Sequence, residues 1–160
     1  MEPSETADQT SADGAHTPVD ELYSSLLSLV YAMSGNRTHT RLRAAAEVTV
    51  DRAGLALLRV LARASSPLRM GELAEALMVQ APHVTREIGR LEQRGLVETV
   101  REPGDQRARR AAITEDGREA VARAETVGKQ WLADALHGFA PREVATAAAV
   151  LDRIADAYRN

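Results

Sequence analysis

The sequence predicts a mainly α-helical chain with one small β-hairpin. Three observations carry that expectation. Apolar residues recur at three- and four-residue spacing through most of the chain. Between residues 96 and 113, two short runs flank a Pro-Gly turn. No strand–helix alternation and no nucleotide-binding glycine loop interrupts the pattern, which excludes dinucleotide and P-loop architectures.

The helices can be placed in order. Residues 1–17 are rich in Ser, Thr, Ala, Asp and Glu and lack apolar periodicity, so they read as a disordered acidic tail. From Pro18, Leu22, Leu26, Leu29, Val30 and Met33 form one stripe. That helix is expected to continue past Gly35-Asn36 to about Ala45. Thr49 is the expected cap of a second helix through Leu55, Leu58 and Leu61 to about Ala64, ended by Ser65-Ser66-Pro67. A short third helix spans about Met70 to Leu77. After a connection of four or five residues, a fourth runs from Ala81 to Arg94. Pro82 lies in its first turn and Gly95 at its left-handed end.

Leu96–Arg101 and Arg109–Ile113 then read as strands around Glu102-Pro103-Gly104-Asp105. Arg109, Ala111 and Ile113 share one face of the return strand. Thr114 caps a fifth helix to about His137, with Glu115 and Asp116 suited to its dipole. Gly138 stops that helix. The last begins at Pro141 and keeps Val144, Ala147, Ala148, Leu151, Ile154, Ala155 and Tyr158 in helical register. A tri-helical unit closed by a hairpin is the winged helix–turn–helix pattern, here at about 49–113. The helices at about 18–45 and 115–159 flank it. Their apolar faces are too extensive for one small domain to cover, which predicts symmetric pairing of two copies.

Composition narrows function. The 160 residues contain no cysteine, which excludes disulfides, Cys-ligated metal sites and thiol nucleophiles. No apolar run approaches the ~20 residues of a membrane span, and the N-terminus lacks a signal-peptide pattern, so a cytoplasmic protein is expected. The net charge of −3 hides an asymmetry. Residues 1–21 carry six acids (Glu2, Glu5, Asp8, Asp13, Asp20, Glu21) and no base, so the remainder is +3. A polyanion partner is therefore compatible with the acidic total. The four histidines, His16, His39, His83 and His137, show no close spacing, so no metal is expected. No nucleophile–base arrangement, paired carboxylates or cofactor loop suggests an enzyme.

In a helix–turn–helix the second helix enters the DNA major groove. On residues 81–94, Val84, Ile88 and Leu91 make a core side, and His83, Arg86, Glu87, Arg90 and Arg94 the opposite side. Gln80, Ala81, Pro82 and His83 sit at its N-terminal end, where base edges are approached. Gln and Arg make paired hydrogen bonds to adenine and guanine. Thr85 and the first amides are candidates for phosphate. In the hairpin, Arg107, Arg109 and Arg110 gather at the tip and return strand, opposed by Asp105, which can orient Arg107 for a minor groove. A solvated charged face remains the competing explanation of the helix, and a solubilising turn that of the hairpin.

These blocks together resemble the MarR-type transcriptional regulators over about residues 19–159. The resemblance is carried by Met70-Gly71-Glu72-Leu73-Ala74, by Val84-Thr85-Arg86 through Arg90-Leu91-Glu92-Gln93-Arg94-Gly95-Leu96-Val97, and by Asp105-Gln106-Arg107 followed by Ile113-Thr114-Glu115-Asp116-Gly117. It implies a homodimer whose terminal helices intertwine and whose two winged helices bind a near-palindromic operator on double-stranded DNA. Contacts would come from Gln80, Ala81, His83, Thr85, Arg86 and Arg90, with Asp105, Arg107 and Arg109 at the wing. Two departures stand out. Pro82 replaces a common Ser or Thr, and Ala140 precedes the last helix where a capping side chain is usual.

Regulators of this kind often release DNA on binding a small aromatic or phenolic acid. Candidate contacts are Asn36, Arg37, His39, Arg43, Arg52 and Trp131, the arginines and histidine for a carboxylate and Trp131 as an apolar wall. The leading expectation is thus a ligand-responsive, DNA-binding repressor. Its rival is a helical protein-interaction module that uses the winged helix as a protein contact.

Overall fold

The computed structural model describes residues 17–102 and 105–159, and of residues 102, 105–108 and 159 the backbone only. The elements are α1 (Pro18–Ser34), α2 (Asn36–Ala46), α3 (Arg52–Arg63), β1 (Leu68–Arg69), α4 (Met70–Ala76), α5 (Ala81–Gln93), β2 (Val97–Glu102), β3 (Asp105–Ile113), α6 (Glu115–Ala135) and α7 (Pro141–Arg159). The fold is mainly helical with a small antiparallel sheet, as the periodicity predicts. The chain divides into two compact units, Met1–Thr38 and His39–Asn160.

In the first unit, α1 takes its cap from Thr17, the last residue the sequence assigns to the tail; residues 1–16 of that tail lie outside the described residues. The Asp20 amide donates to the Thr17 hydroxyl (3.2 Å), and the Thr17 amide donates back to the Asp20 carboxylate (2.9 Å). The Thr17 hydroxyl and then its amide hold the Asp20 carboxyl below its ordinary value of 3.8. A depressed carboxyl stabilises the helix start above that value, and the contribution disappears as pH falls through the lowered one. Protection of the Asp20 and Glu21 amides, taken relative to the intrinsic exchange rate at each pH, is therefore expected to fall as pH drops below the ordinary value of 3.8. Asp20→Asn should remove that pH dependence; if the variant retains it, the cap is not its source.

The helix expected to run to about Ala45 instead breaks. Gly35 is extended (φ −65°, ψ 138°) and α2 restarts at Asn36. Ser-Gly-Asn favours leaving the helix. The Thr38 hydroxyl donates to the Ala32 carbonyl (2.7 Å), satisfying an acceptor that the broken helix leaves open. No residue of α1 is buried.

In the second unit, α3 is capped by Asp51 rather than Thr49: the Asp51 carboxylate accepts from the Gly54 amide (2.9 Å). Thr49 belongs to an extended connector whose neighbours Val48 and Val50 are both buried. Leu55, Leu57, Leu58 and Leu61 face the core, joined by Leu73, Val84, Ile88, Leu91, Val97, Ala111, Ile113, Val121 and Ala124. Core packing thus gathers α3, α4, α5, the sheet and the start of α6.

The expected hairpin is present but extended, and it has a third strand. Both strands run closer to the tip than expected, and β1 pairs with β3 through Leu68↔Ala111 and Arg69↔Arg110, giving the order β1-β3-β2. Two residues carry too little pattern to be read as a strand. The turn residues Pro103 and Gly104 lie outside the described residues.

Gly95 (φ 72°) ends α5 in the left-handed conformation, as expected. Thr114 caps α6 by accepting from the Gly117 amide (3.2 Å). Before α7, the Ala140 amide donates to the Glu143 carboxylate (2.7 Å), so Glu143 supplies part of the cap that Ala140 lacks. No described side chain of α7 is buried, and only Val144 and Ile154 are half-buried.

Candidate nucleic-acid interface

The helix pair α4–α5 is set by a tight connection. The Met78 amide donates to the Glu75 carbonyl (3.0 Å) and the Val79 amide to the Ala74 carbonyl (2.9 Å). Met78 takes φ 53° to make the turn, and its side chain is 93% exposed. The apolar side of α5 then buries Val84, Ile88 and Leu91. Packing that side fixes the opposite one toward solvent.

His83, Arg86, Arg90 and Arg94 lie on that outer side, all exposed. Gln80, Ala81 and Thr85 are exposed as well. Arg90 Nη1 pairs with Glu87 Oε2 at 3.1 Å. The Thr85 hydroxyl donates to the Ala81 carbonyl (3.1 Å), which orients its lone pairs outward rather than its proton. The helix start is a weaker anion site than the sequence suggests. Pro82 has no N–H, the His83 amide already donates to the Gln80 carbonyl (3.0 Å), and Gln80 makes no side-chain cap.

In the wing, β2 and β3 pair Val97↔Ile113, Thr99↔Ala111 and Arg101↔Arg109. Directly opposite residues share a face. Arg101 and Arg109, both exposed, therefore continue the core-facing side beyond the core toward the tip. Arg101 was not singled out from sequence, because its cross-strand partner depends on register. Arg110 does not join them: it alternates to the other face, where Nη1 donates to the Pro67 carbonyl (3.1 Å). The expected cluster of three arginines is thus corrected by strand alternation. The side chains of Asp105 and Arg107 lie outside the described residues. The wing is fastened to α5 by Glu92, whose Oε1 accepts both the amide and the hydroxyl of Thr99.

The six ligand candidates do different things. Asn36 and Arg37 are exposed at the start of α2. Arg43 Nη2 donates to the Thr49 carbonyl (2.8 Å) and Nε to that of Val48 (3.4 Å), so it braces the connector. His39 is half-buried, and its Nε2 is buried without a hydrogen bond among the described residues. Trp131 is half-buried under the Arg41 guanidinium, 5.3 Å from the ring centroid. Arg52 opens onto a cavity of about 460 Å³ shared with Leu57, Leu77, Val79 and His83. A larger cleft of about 780 Å³ between α3 and α6 was not anticipated. Its lining includes buried Val121 and Ala124, exposed Leu132, and the cations Arg59, Arg63, Arg118 and Lys129. These cations lie on two helices, so only the fold brings them together. Among the described residues no group of three or more His, Asp or Glu is placed to hold a metal ion. No helix among them is long and apolar enough to cross a membrane.

A helix–turn–helix with a basic outer helix and an arginine-bearing hairpin, with long helices before and after it in the chain, is a winged-helix architecture. Residues 49–108 match the model of the MarR family. That match falls on the winged-helix segment and agrees with the resemblance read from the sequence. Solved structures share the fold at low identity. A MarR family protein from Bacillus stearothermophilus matches with TM-score 0.76 at 19% identity, covering 89% of this chain and 96% of its own. Streptococcus pneumoniae FabT, solved in complex with DNA, matches with TM-score 0.68 at 19% identity over 88% and 95%. The S. aureus MepR–DNA complex matches with TM-score 0.65 at 17% identity over 84% and 97%.

Proposed function

We propose that this chain is a homodimeric, sequence-specific DNA-binding repressor that acts in the cytoplasm on a near-palindromic operator and is released by a small organic acid. The observation that carries this reading is the exposed row His83, Arg86 and Arg90 on α5, set beside the wing pair Arg101 and Arg109. Such a surface offers bidentate donors to base edges and cations to phosphates. Two relatives of the same fold were solved with DNA. The domain division that accompanies this reading is a winged helix over about 49–113 between dimerisation helices at about 18–45 and 115–159. Exposed Val19, Leu22, Leu29, Val30 and Met33 on α1, and Val150, Leu151 and Tyr158 on α7, supply the apolar surface for pairing.

For the effector, the cleft between α3 and α6 suits an organic anion with an apolar body. Its lining holds four cations and one carboxylate, Glu125, which pairs with Lys129 (4.0 Å), beside buried Val121 and Ala124. This choice replaces the dispersed candidates read from the sequence.

Genomic fragments selected by the purified protein and then footprinted test the whole reading. Protected half-sites about 10 bp apart, centre to centre, are expected. Affinity should fall steeply with salt as counterions are released. A protein that binds no duplex at low salt refutes the reading and leaves the protein-contact alternative. Arg107→Ala is expected to weaken operator binding by roughly 1–3 kcal/mol. An affinity unchanged within error would remove the wing tip from the interface.

A further inference from the structure

One backbone carbonyl in the second unit is gripped from two sides. The Thr49 carbonyl accepts from Arg43 Nη2 on α2 (2.8 Å) and from Arg94 Nη1 at the C-cap of α5 (3.3 Å). Thr49 is held in place because Val48 and Val50 on either side are buried. Two residues before Arg43, Arg41 lies over Trp131 of α6. Contacts therefore run unbroken from α6 through α2 and the connector to the end of α5. The other end of α5 has no side-chain cap. Val84, Ile88 and Leu91 seat one side of α5 in the core, and the tie at Arg94 joins the end of that seat to the connector.

We propose that the Thr49 carbonyl is a coupling node, and that Arg94 is a positioning residue that sets the angle of α5 according to the place of α2. The proposal rests on the DNA-binding reading for its consequence, because the angle of α5 in each protomer decides how two copies match an operator. Arg94 also borders a hollow lined by Thr49, Asp51, Glu87, Arg90 and Gln93. A direct phosphate contact by Arg94 is thus the competing role to be distinguished.

Trp131 is the chain's one tryptophan, so its emission reports on the α2–α6 contact. Emission and anisotropy are measured as a selected operator duplex is added to the full-length protein. Wild-type emission is expected to shift on binding. Arg94→Ala should bind ~3- to 10-fold more weakly, the range of one net hydrogen bond. Its salt slope should be unchanged and its emission shift at least halved, and Arg94→Lys should recover part of both. Arg43→Ala should behave similarly, and the double variant should be no worse than the worse single one. A slope smaller by about 0.9 would make Arg94 a phosphate contact and overturn the node. So would an undiminished emission shift, multiplicative losses in the double variant, or a wild-type emission that does not move on binding. A second arm needs no DNA: Arg43→Ala should accelerate amide exchange at residues 91–96, although Arg43 is not on α5. Unchanged exchange there overturns the node. If wild type binds no duplex, the regulator reading fails, and the exchange result still decides this inference.

Discussion

Gly117→Ala is expected to destabilise the second unit by ~3 kcal/mol or more, the upper range for overpacking. A methyl at this position would sit far inside contact distance of the Leu96 carbonyl oxygen and 2.7 Å from Ile113 Cγ1. Neither neighbour can retreat cheaply. The Leu96 carbonyl accepts from the Thr114 amide (3.2 Å), and the Gly95 carbonyl accepts from the Thr114 hydroxyl (2.6 Å). Ile113 is buried in the core. The first turn of α6 is thus packed against the backbone that joins α5 to the wing. At roughly 2–4 °C per kcal/mol for a chain of this size, calorimetry should show Tm lower by ~6–12 °C. Gly128→Ala, in the same helix with nothing within 4 Å of the added carbon, is the control. It should be neutral or stabilising by up to ~1 kcal/mol. Equal Tm values for wild type and Gly117→Ala would contradict this packing.

Val30→Glu should convert the proposed dimer to monomer. Val30 is 53% exposed on α1, beside exposed Leu22, Leu29 and Met33, and is a position that pairing would bury. Two-fold symmetry places the new carboxylate in the interface twice, at a cost of about 3 kcal/mol or more per copy. Light scattering after size exclusion should report one chain's mass at micromolar concentration. Operator affinity should drop on the order of 100-fold, because each half-site is then bound without its neighbour. Ser24→Glu, on the side of α1 opposite the stripe of Leu22, Leu29 and Met33, should leave the mass unchanged. A Val30→Glu protein that stays dimeric and binds normally removes α1 from the interface.

Much of the winged helix was legible in the sequence because its signals are local. The alternation of Val84, Ile88 and Leu91 with His83, Arg86 and Arg90 fixes which side of α5 is buried. Gly95 and Thr114 punctuate the chain where a left-handed turn and a cap are needed. What escaped depends on distant partners. Strand β1 exists only because β3 offers it a ladder, and Arg101 acquires its neighbour Arg109 only through register. Arg110 counted as a tip cation until alternation turned it to Pro67. Asp51 displaced Thr49 as a cap because the core claims Val48 and Val50. The α3–α6 cleft joins arginines more than fifty positions apart, a spacing that no local pattern marks.

The pairing of Arg101 with Arg109 has an electrostatic consequence. Arginines on directly opposed residues repel one another. Added electrolyte shields that repulsion and firms up the hairpin, while the same shielding weakens its hold on a polyanion. Ionic strength therefore pulls the two properties in opposite directions. Under the proposed DNA-binding role, a seated phosphate backbone would quench the mutual repulsion of the wing, and the hairpin is then expected to be most rigid when bound.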